Sequence, residues 1–385
     1  MALLAWSSPL AGAAPSPQPA VPRQVASSTG PSHAARPSFS TVSAGAALVV
    51  GGLSAAHASR GRRGRDWARA ARNAIVFIDG EAGTTGLQVR ERLQAHPDIE
   101  ILSLPYDLRK DEAARRDALR SADAAVLCLP DDAAKAAVAL VGDADTIIVD
   151  ASTAYRVADG WVYGFPEMSP EQTAAIKSAK RISNPGCYPT GFIGLVKPLV
   201  DAGLMPTDML LIVPAVSGYS GGGNALIDIY EGPDHEPWGA YGFSLAHKHI
   251  AEMAKRTGLQ NEPIFCPTVG NFKQGMVVSV PLRLGQLKAG TTLAHLQETL
   301  AKHYEGSQFV SVAPVNPMDG LERGAFLRPD TVNNTNRLEL FVFGNEEKGT
   351  AWLLARLDNL GKGASGACVQ NLNLSLGFDQ GTGLV

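Results

Sequence analysis

The chain has 385 residues, 45% of them apolar, enough for two domains and a sizeable core. A formal net charge of −3 argues against the basic surface of a nucleic-acid binder, and no nucleic-acid partner is expected. The four cysteines (Cys128, Cys187, Cys266, Cys368) are scattered with no CxxC pair, which argues against structural zinc or a disulfide framework and for a reducing compartment.

Residues 1–72 stand apart. They hold eight arginines, no lysine and one acidic residue, Asp66, among many Ala, Ser, Gly and Pro. This is the composition of an organelle-targeting leader, expected to be removed or disordered and excluded from the fold. AGAALVVGGLSAAHA, 44–58, is too short and too small in side chains to span a membrane, so no membrane partner is expected once the leader is gone. With RGRRGR following at 60–65, it suits a plastid leader, the mitochondrial matrix being the alternative address. A disordered basic tail that binds an acidic partner is the competing reading.

At Ala74 the pattern changes. AIVFIDG is a short apolar strand, EAGTTG a turn and LQVRERLQAH a helix. IEILSL (99–104), AAVLCLP (124–130) and TIIVDAS (146–152) are further strands, separated by the helical runs DEAARRDALRSA and DDAAKAAVALVG. Strands alternating with helices predict an α/β fold with a Rossmann-type, doubly wound parallel sheet. After residue 185 the runs lengthen. MLLIVPAV and GMVVSVPLRL suggest a second, mixed or antiparallel α+β domain, and TAWLLARLDNLGKGASGACVQNLNLSLG reads as helical at both ends.

Gly80, Gly83 and Gly86, with Thr84 and Thr85 between them, form a G-x-x-G-x-x-G variant of the dinucleotide fingerprint directly after a strand. An NAD site usually carries an acidic residue at the end of the second strand, for the ribose 2′-OH. IEILSL ends instead in Ser103 and Leu104, with Arg109 and Lys110 nearby, which favours NADP; Asp107 is the one opposing feature.

SNPGCYPTG places Cys187 just before FIGLVKPLVDAG, an amphipathic helical run that Gly203 stops. A cysteine at a helix N-terminus meets unpaired N–H groups and the positive dipole end, which favour a nucleophilic thiolate. Cys128, Cys266 and Cys368 read as packing residues. AHKHIAEM offers His247, His249 and Glu252. No third ligand stands at a recognisable spacing, so no metal is expected, and an acid–base histidine for the cysteine fits better. SGYSGGGN at 217–224 supplies hydroxyls and backbone N–H groups for an oxyanion, and DASTAYR ends a strand with Arg156 poised for a carboxylate.

Together GEAGTTG, DASTAYR, SNPGCYPTG, AVSGYSGGGNA, HKHIAEM and GKGASGACVQNLNLSLG resemble the short-form N-acetyl-γ-glutamyl-phosphate reductases of arginine biosynthesis, from about Ala74 to Gly377. The resemblance implies a nucleotide-binding domain over 73–184, completed by 347–385 with its terminal helix. It implies a catalytic and oligomerisation domain of the glyceraldehyde-3-phosphate dehydrogenase type over 185–346. NADPH would be held by Gly80, Gly83, Thr84, Thr85, Gly86, Ser103, Arg109, Lys110, Pro130 and Asn371. Cys187 would be the nucleophile and His247 the acid–base group, with Ser152, Arg156, Asn184, Ser217, Gly218, Tyr241 and Glu252 around N-acetylglutamyl phosphate. Arg323 and Arg328 compete with Arg156 for the substrate carboxylate. Cys368 stands where Ala is common in the family. A homodimer or homotetramer is implied. An aspartate-semialdehyde dehydrogenase, a Cys–His hydrolase and an inactive NADP sensor are the rivals.

Overall fold

Apolar strands followed by glycine turns and amphipathic helices build the first sheet. A computed structural model describes residues 73–385; the leader assigned to 1–72 lies outside them. Strands β1 (Ala74–Asp79), β2 (Ile99–Leu102), β3 (Ala124–Leu127) and β4 (Ile147–Asp150) are all parallel. Two short strands not legible in the sequence, β5 (Val162–Tyr163) and β6 (Arg181–Ser183), extend the sheet to the order β2-β1-β3-β4-β6-β5. Helices α1 (Thr84–Gln94), α2 (Glu112–Ser121), α3 (Asp131–Val141) and α4 (Pro170–Ser178) connect them. The order reverses between β1 and β3, which opens a crevice beyond their C-terminal ends, the place where such sheets bind nucleotides.

The second sheet is mixed, as the longer runs suggest. Its strands are β7 (Ile212–Gly218), β8 (Trp238–Ala240), β9 (Ile264–Gly270), β10 (Met276–Arg283), β11 (Val310–Val315), β12 (Leu338–Asn345) and β13 (Thr350–Leu357). They lie in the order β11-β12-β13-β10-β7-β9-β8. One face packs on α5 (Cys187–Asp201), against which α7 (Ile250–Thr257) and α8 (Leu293–His303) lie, while the short α6 (Asn224–Tyr230) follows β7. Helix α5 is nearly all buried because its apolar residues run around it rather than along one stripe. A Cβ on Gly191 would stand 2.8 Å from Val278 and 3.2 Å from the Ala355 methyl, so this glycine lets the helix approach the sheet.

The tail departs from expectation. TAWLLARL is not helical but is β13, antiparallel to both β10 and β12 in the middle of the second sheet. Apolar side chains on both faces suit a central strand as well as a helix, and the two neighbours decide. The boundary expected at 347 therefore moves: residues 347–357 belong to the second sheet, and the return to the first begins after Leu357. There a π-helical turn, Gly361–Ser365, leads into α9 (Gly366–Leu376). Helix α9 packs on α1, α4 and β4, its Cys368, Val369, Leu372, Leu374 and Leu376 sharing a cluster with Val76, Val89 and Val149. The nucleotide domain is thus closed by the C-terminus, as the resemblance implies. Among the described residues no helix is long and apolar enough to cross a membrane.

Candidate active site

Helix α5 begins at Cys187 itself, with Gly186 as its extended N-cap residue. Pro189 contributes no N–H, and the Gly186 N–H is taken by the Glu252 carboxylate at 2.8 Å, so the N–H groups of Cys187 and Tyr188 are those left at the helix start. Two backbone approaches enclose the cysteine. A Cβ on Gly363 would lie 2.8 Å from the Cys187 Cβ, and one on Gly186 would lie 2.6 Å from Arg156 Nη1 and 2.7 Å from His249 Nε2. Burial pushes the Cys187 thiol up, opposed by the Arg156 charge and the Tyr188 N–H. The helix start and Arg156 thus counter desolvation without outweighing it.

Glu252 organises this floor. It is 1% exposed, and one oxygen accepts from the Tyr163 hydroxyl (2.6 Å) and from Gly186 N–H, while the other meets Arg156 Nη1 at 3.2 Å. Arg156 also donates Nε to the Asn184 carbonyl and Nη2 to that of Ala151. The resemblance places both residues around the substrate. Glu252 is instead a buried anchor. Arg156 lines the cavity with its guanidinium largely committed, whereas Arg323 and Arg328 do not line it, Arg328 being paired with Asp330.

The cavity, about 800 Å³, is lined by Thr84 and Thr85 as well as Cys187, so the crevice of the first sheet opens onto the cysteine. Arg156, Asn184, Ser217, Gly218, Tyr241 and His247 also line it, as does His249. His247 Nδ1 accepts the His249 backbone N–H (3.2 Å), so the neutral ring carries its proton on Nε2. Burial, then Lys248 and Arg156, hold the His247 ring below the usual histidine range. His249 is the buried one of the pair, held well below that range chiefly by burial. Tyr241 donates to the Tyr188 hydroxyl (3.2 Å), and burial pushes its own hydroxyl up to about 12.

Several expectations need correcting. Ser152 does not line the cavity; its hydroxyl is bound to the buried Asp150 carboxylate at 2.7 Å. The 217–224 loop is less free than its glycines suggest, since the N–H groups of Gly218, Tyr219 and Ser220 already donate to the carbonyls of Gly275, Phe272 and Lys273. Asn371 is fully buried away from the cavity lining, donating to the Gly164 carbonyl and the Asn184 side chain. Cys266 is exposed rather than packed, whereas Cys368 is interior and Cys128 half-buried, burial pushing both thiols up, that of Cys128 to about 12. Lys248 and Asn359 line the cavity unannounced. Lys248 is the middle residue of HKH, and Asn359 accepts from Gly275 N–H and donates to Ser220.

The glycine turn fits a dinucleotide. Gly80 has φ +89°, and its missing Cβ would fall on the Cys128 carbonyl after β3; one on Gly86 would fall on the Gly80 carbonyl. Helix α1 starts after Gly83 with no side-chain cap and no acidic residue in its first turn, and its first two residues, Thr84 and Thr85, line the cavity, a helix start suited to an anion. At the end of β2 stands an acid that the sequence did not disclose. Glu81 pairs with Arg109 Nη2 and with Arg90 Nη1, each at 2.5 Å, and Ser103 donates to it at 3.4 Å. Lys110 is exposed, and Pro130 caps α3 outside the cavity lining. Among the described residues no acid, histidine or cysteine cluster fit for a metal occurs.

Residues 187–359 match the semialdehyde dehydrogenase dimerisation domain and 105–176 the semialdehyde dehydrogenase NAD-binding domain. N-acetyl-gamma-glutamyl-phosphate reductase 2 of Nostoc sp. PCC 7120 is 50% identical over 317 residues, 80% of this chain and 98% of that protein. The chain belongs to the N-acetyl-gamma-glutamyl-phosphate reductase family. A second member, from Chelativorans sp. BNC1, is 50% identical over 305 residues, 79% of this chain and 98% of its own. The reductase shares its fold with aspartate semialdehyde dehydrogenase II of Vibrio cholerae (TM-score 0.60, 14% identity, 79% of this chain and 98% of that one). It likewise resembles the aspartate semialdehyde dehydrogenase with NADP of Candida albicans (TM-score 0.55, 14% identity, 78% and 98%).

Glu252 generates a prediction. Glu252→Gln leaves the Arg156 charge buried without its counterion, and loss of such a partner costs about 3–5 kcal/mol. Denaturant unfolding should show a loss of that size, and a variant as stable as the parent would remove Glu252 from its anchoring role.

Proposed function

We propose that this chain reduces N-acetyl-L-glutamyl 5-phosphate to N-acetyl-L-glutamate 5-semialdehyde and phosphate, with NADPH as reductant, in arginine biosynthesis. The observation that carries it is the shared cavity, in which a helix-start cysteine and the glycine-turn crevice open onto each other. A Cys–His hydrolase has no use for that crevice, and a sensor has none for the cysteine.

The Cys187 thiolate attacks the acyl-phosphate carbonyl, the N–H groups at the start of α5 stabilise the oxyanion, and the C–O bond to phosphate breaks to leave a thioester. The departing phosphate takes up the one proton that the overall reaction consumes. Gly80, Gly83, Gly86 and the N-terminus of α1 would hold the pyrophosphate of NADPH, which supplies the hydride for the thioester carbon. His247 shares its Nε2 proton with the developing alkoxide and takes it back as the hemithioacetal collapses, expelling the Cys187 thiolate. Arg156 and Lys248 are the cations lining the cavity for the anionic substrate. Purified protein should oxidise NADPH with N-acetylglutamyl phosphate and not with aspartyl phosphate. Cys187→Ser should keep its fold and lose activity by several orders of magnitude, because a hydroxyl is a far weaker nucleophile. Near-native turnover by Cys187→Ser, or failure to trap labelled substrate on the peptide containing Cys187, would sink the mechanism.

A homodimer, or a tetramer built from it, is proposed through the outer face of the second sheet. The register brings Phe343, Trp352 and Pro281 into one row, and Ile212 beside Ile264. Ile212, Ile264 and Trp352 are about half exposed, an apolar row of the kind that subunit interfaces cover. Trp352→Glu should shift the sedimentation profile towards monomer; an unchanged profile rejects this face.

Residues 1–72 are proposed as a cleaved plastid leader, on their arginine-rich, acid-poor composition. A chain starting at Asn73 should fold and turn over as the full chain does, and a full-length fluorescent fusion should enter plastids; insoluble protein or a cytosolic signal contradicts the assignment.

A further inference from the structure

We infer that Glu81 is a positioning residue for the adenosine end of the cofactor: its buried carboxylate holds Arg90 and Arg109 side by side so that their outer edges accept a 2′-phosphate. The inference deepens the NADPH reading above and rests on it.

Four side chains from separate segments meet at the end of β2. Glu81 comes from the glycine turn, Arg90 from α1, Ser103 from just past β2 and Arg109 from the turn that follows. The Glu81 side chain is 10% exposed, while the two arginine side chains paired to it are 34% and 38% exposed. The carboxylate is therefore the floor and the guanidiniums are the surface. Both Glu81 oxygens are spent on the arginines, and Ser103, which donates to Glu81, accepts a second bond from Arg90 Nη1 at 2.7 Å.

This arrangement differs from the one that selects NAD. There an acid at the end of the second strand accepts the ribose 2′-OH directly. Here the acid reaches the same place from the preceding turn, underneath and with no oxygen free. Without it two like charges would be crowded together on long, mobile side chains. With it the cluster keeps one net positive charge, and its unspent donors are held in place: Nε and Nη2 of Arg90, and Nη1 of Arg109. Arg109 is fixed further by its Nε bond to the Leu104 carbonyl (3.2 Å) and by the Tyr106 ring 5.8 Å from its guanidinium. Paired guanidiniums of fixed geometry suit a phosphate dianion. The root of Glu81 is equally fixed, since a Cβ on Gly86 would come within 2.8 Å of its Cα.

The test measures binding rather than turnover. NADPH, NADH, adenosine 2′,5′-bisphosphate and 5′-AMP are titrated by calorimetry into the wild type, Glu81→Gln, Glu81→Asp and Arg109→Ala. Glu81→Gln should weaken NADPH and the 2′,5′-bisphosphate about tenfold, the loss of one charge-assisted contact's worth of order. NADH and 5′-AMP should bind as to wild type, which also shows the variant to be folded, and Glu81→Asp should recover part of the loss. Tighter NADPH binding by Glu81→Gln would make Glu81 a repeller of the phosphate and overturn the inference. So would an unchanged NADPH-to-NADH ratio, or an equal loss for both cofactors. If the wild type binds NADPH and NADH equally and Arg109→Ala changes nothing, the NADPH reading itself fails and the inference with it. If Arg109→Ala erases a wild-type preference that Glu81→Gln retains, the inference alone fails.

Discussion

The Glu252 carboxylate has no access to bulk water, so its charge is tolerable only because three donors surround it. Those donors come from separate places: Arg156 after β4, Tyr163 on β5 and the backbone of Gly186 at the head of α5. The acid itself sits in the first turn of α7, so one side chain fixes the first sheet, the nucleophile's helix and the histidine segment together. Position and electrostatics are linked through the same atoms. Arg156, held there by Glu252, is the cation that most favours the thiolate form of Cys187, while the Glu252 charge works against it.

The cysteine is seated by backbone as much as by side chains. Gly363 presses on it from the π-helical turn, and Gly186 leaves room for Arg156 and His249. That turn is itself tethered by Lys362, a fully buried amine paired with Glu167 at 2.7 Å and bound to Gln370. Burial depresses the Lys362 ammonium, and Glu167 opposes this without outweighing it. A buried ion pair of this kind gives little net stability, but removing one partner is costly, so the turn has few alternative positions.

The parallel sheet was legible because the strand–helix rhythm is local, and Cys187 because a helix start can be read from residues on either side of it. What escaped depends on partners distant in sequence. TAWLLARL carries good helix formers, and β10 and β12 override them. Glu81 looked like a turn residue because the arginines that define it lie on α1 and beyond β2. Ser152 and Asn371 sit within the right motifs, yet buried partners claim their polar atoms. Residue types near a site are readable from the string; which of them face the cavity is decided by competition for hydrogen bonds.

Closure of the first sheet by α9 carries a consequence for how the chain is made. Val76 and Val149 find Val369 and Leu372 only when the last segment has been synthesised, and the contact bonds agree: Arg92 and Gln88 on α1 meet Ser365, and His96 meets Asn373. The nucleotide domain therefore emerges from the ribosome with an uncovered apolar face and stays so while the whole second sheet is translated. Contacts of such sequence separation slow folding, and a domain closed by its last segment leaves a window in which a chaperone has something to hold. A nascent chain kept open in this way is also a chain that can still be threaded through a narrow pore.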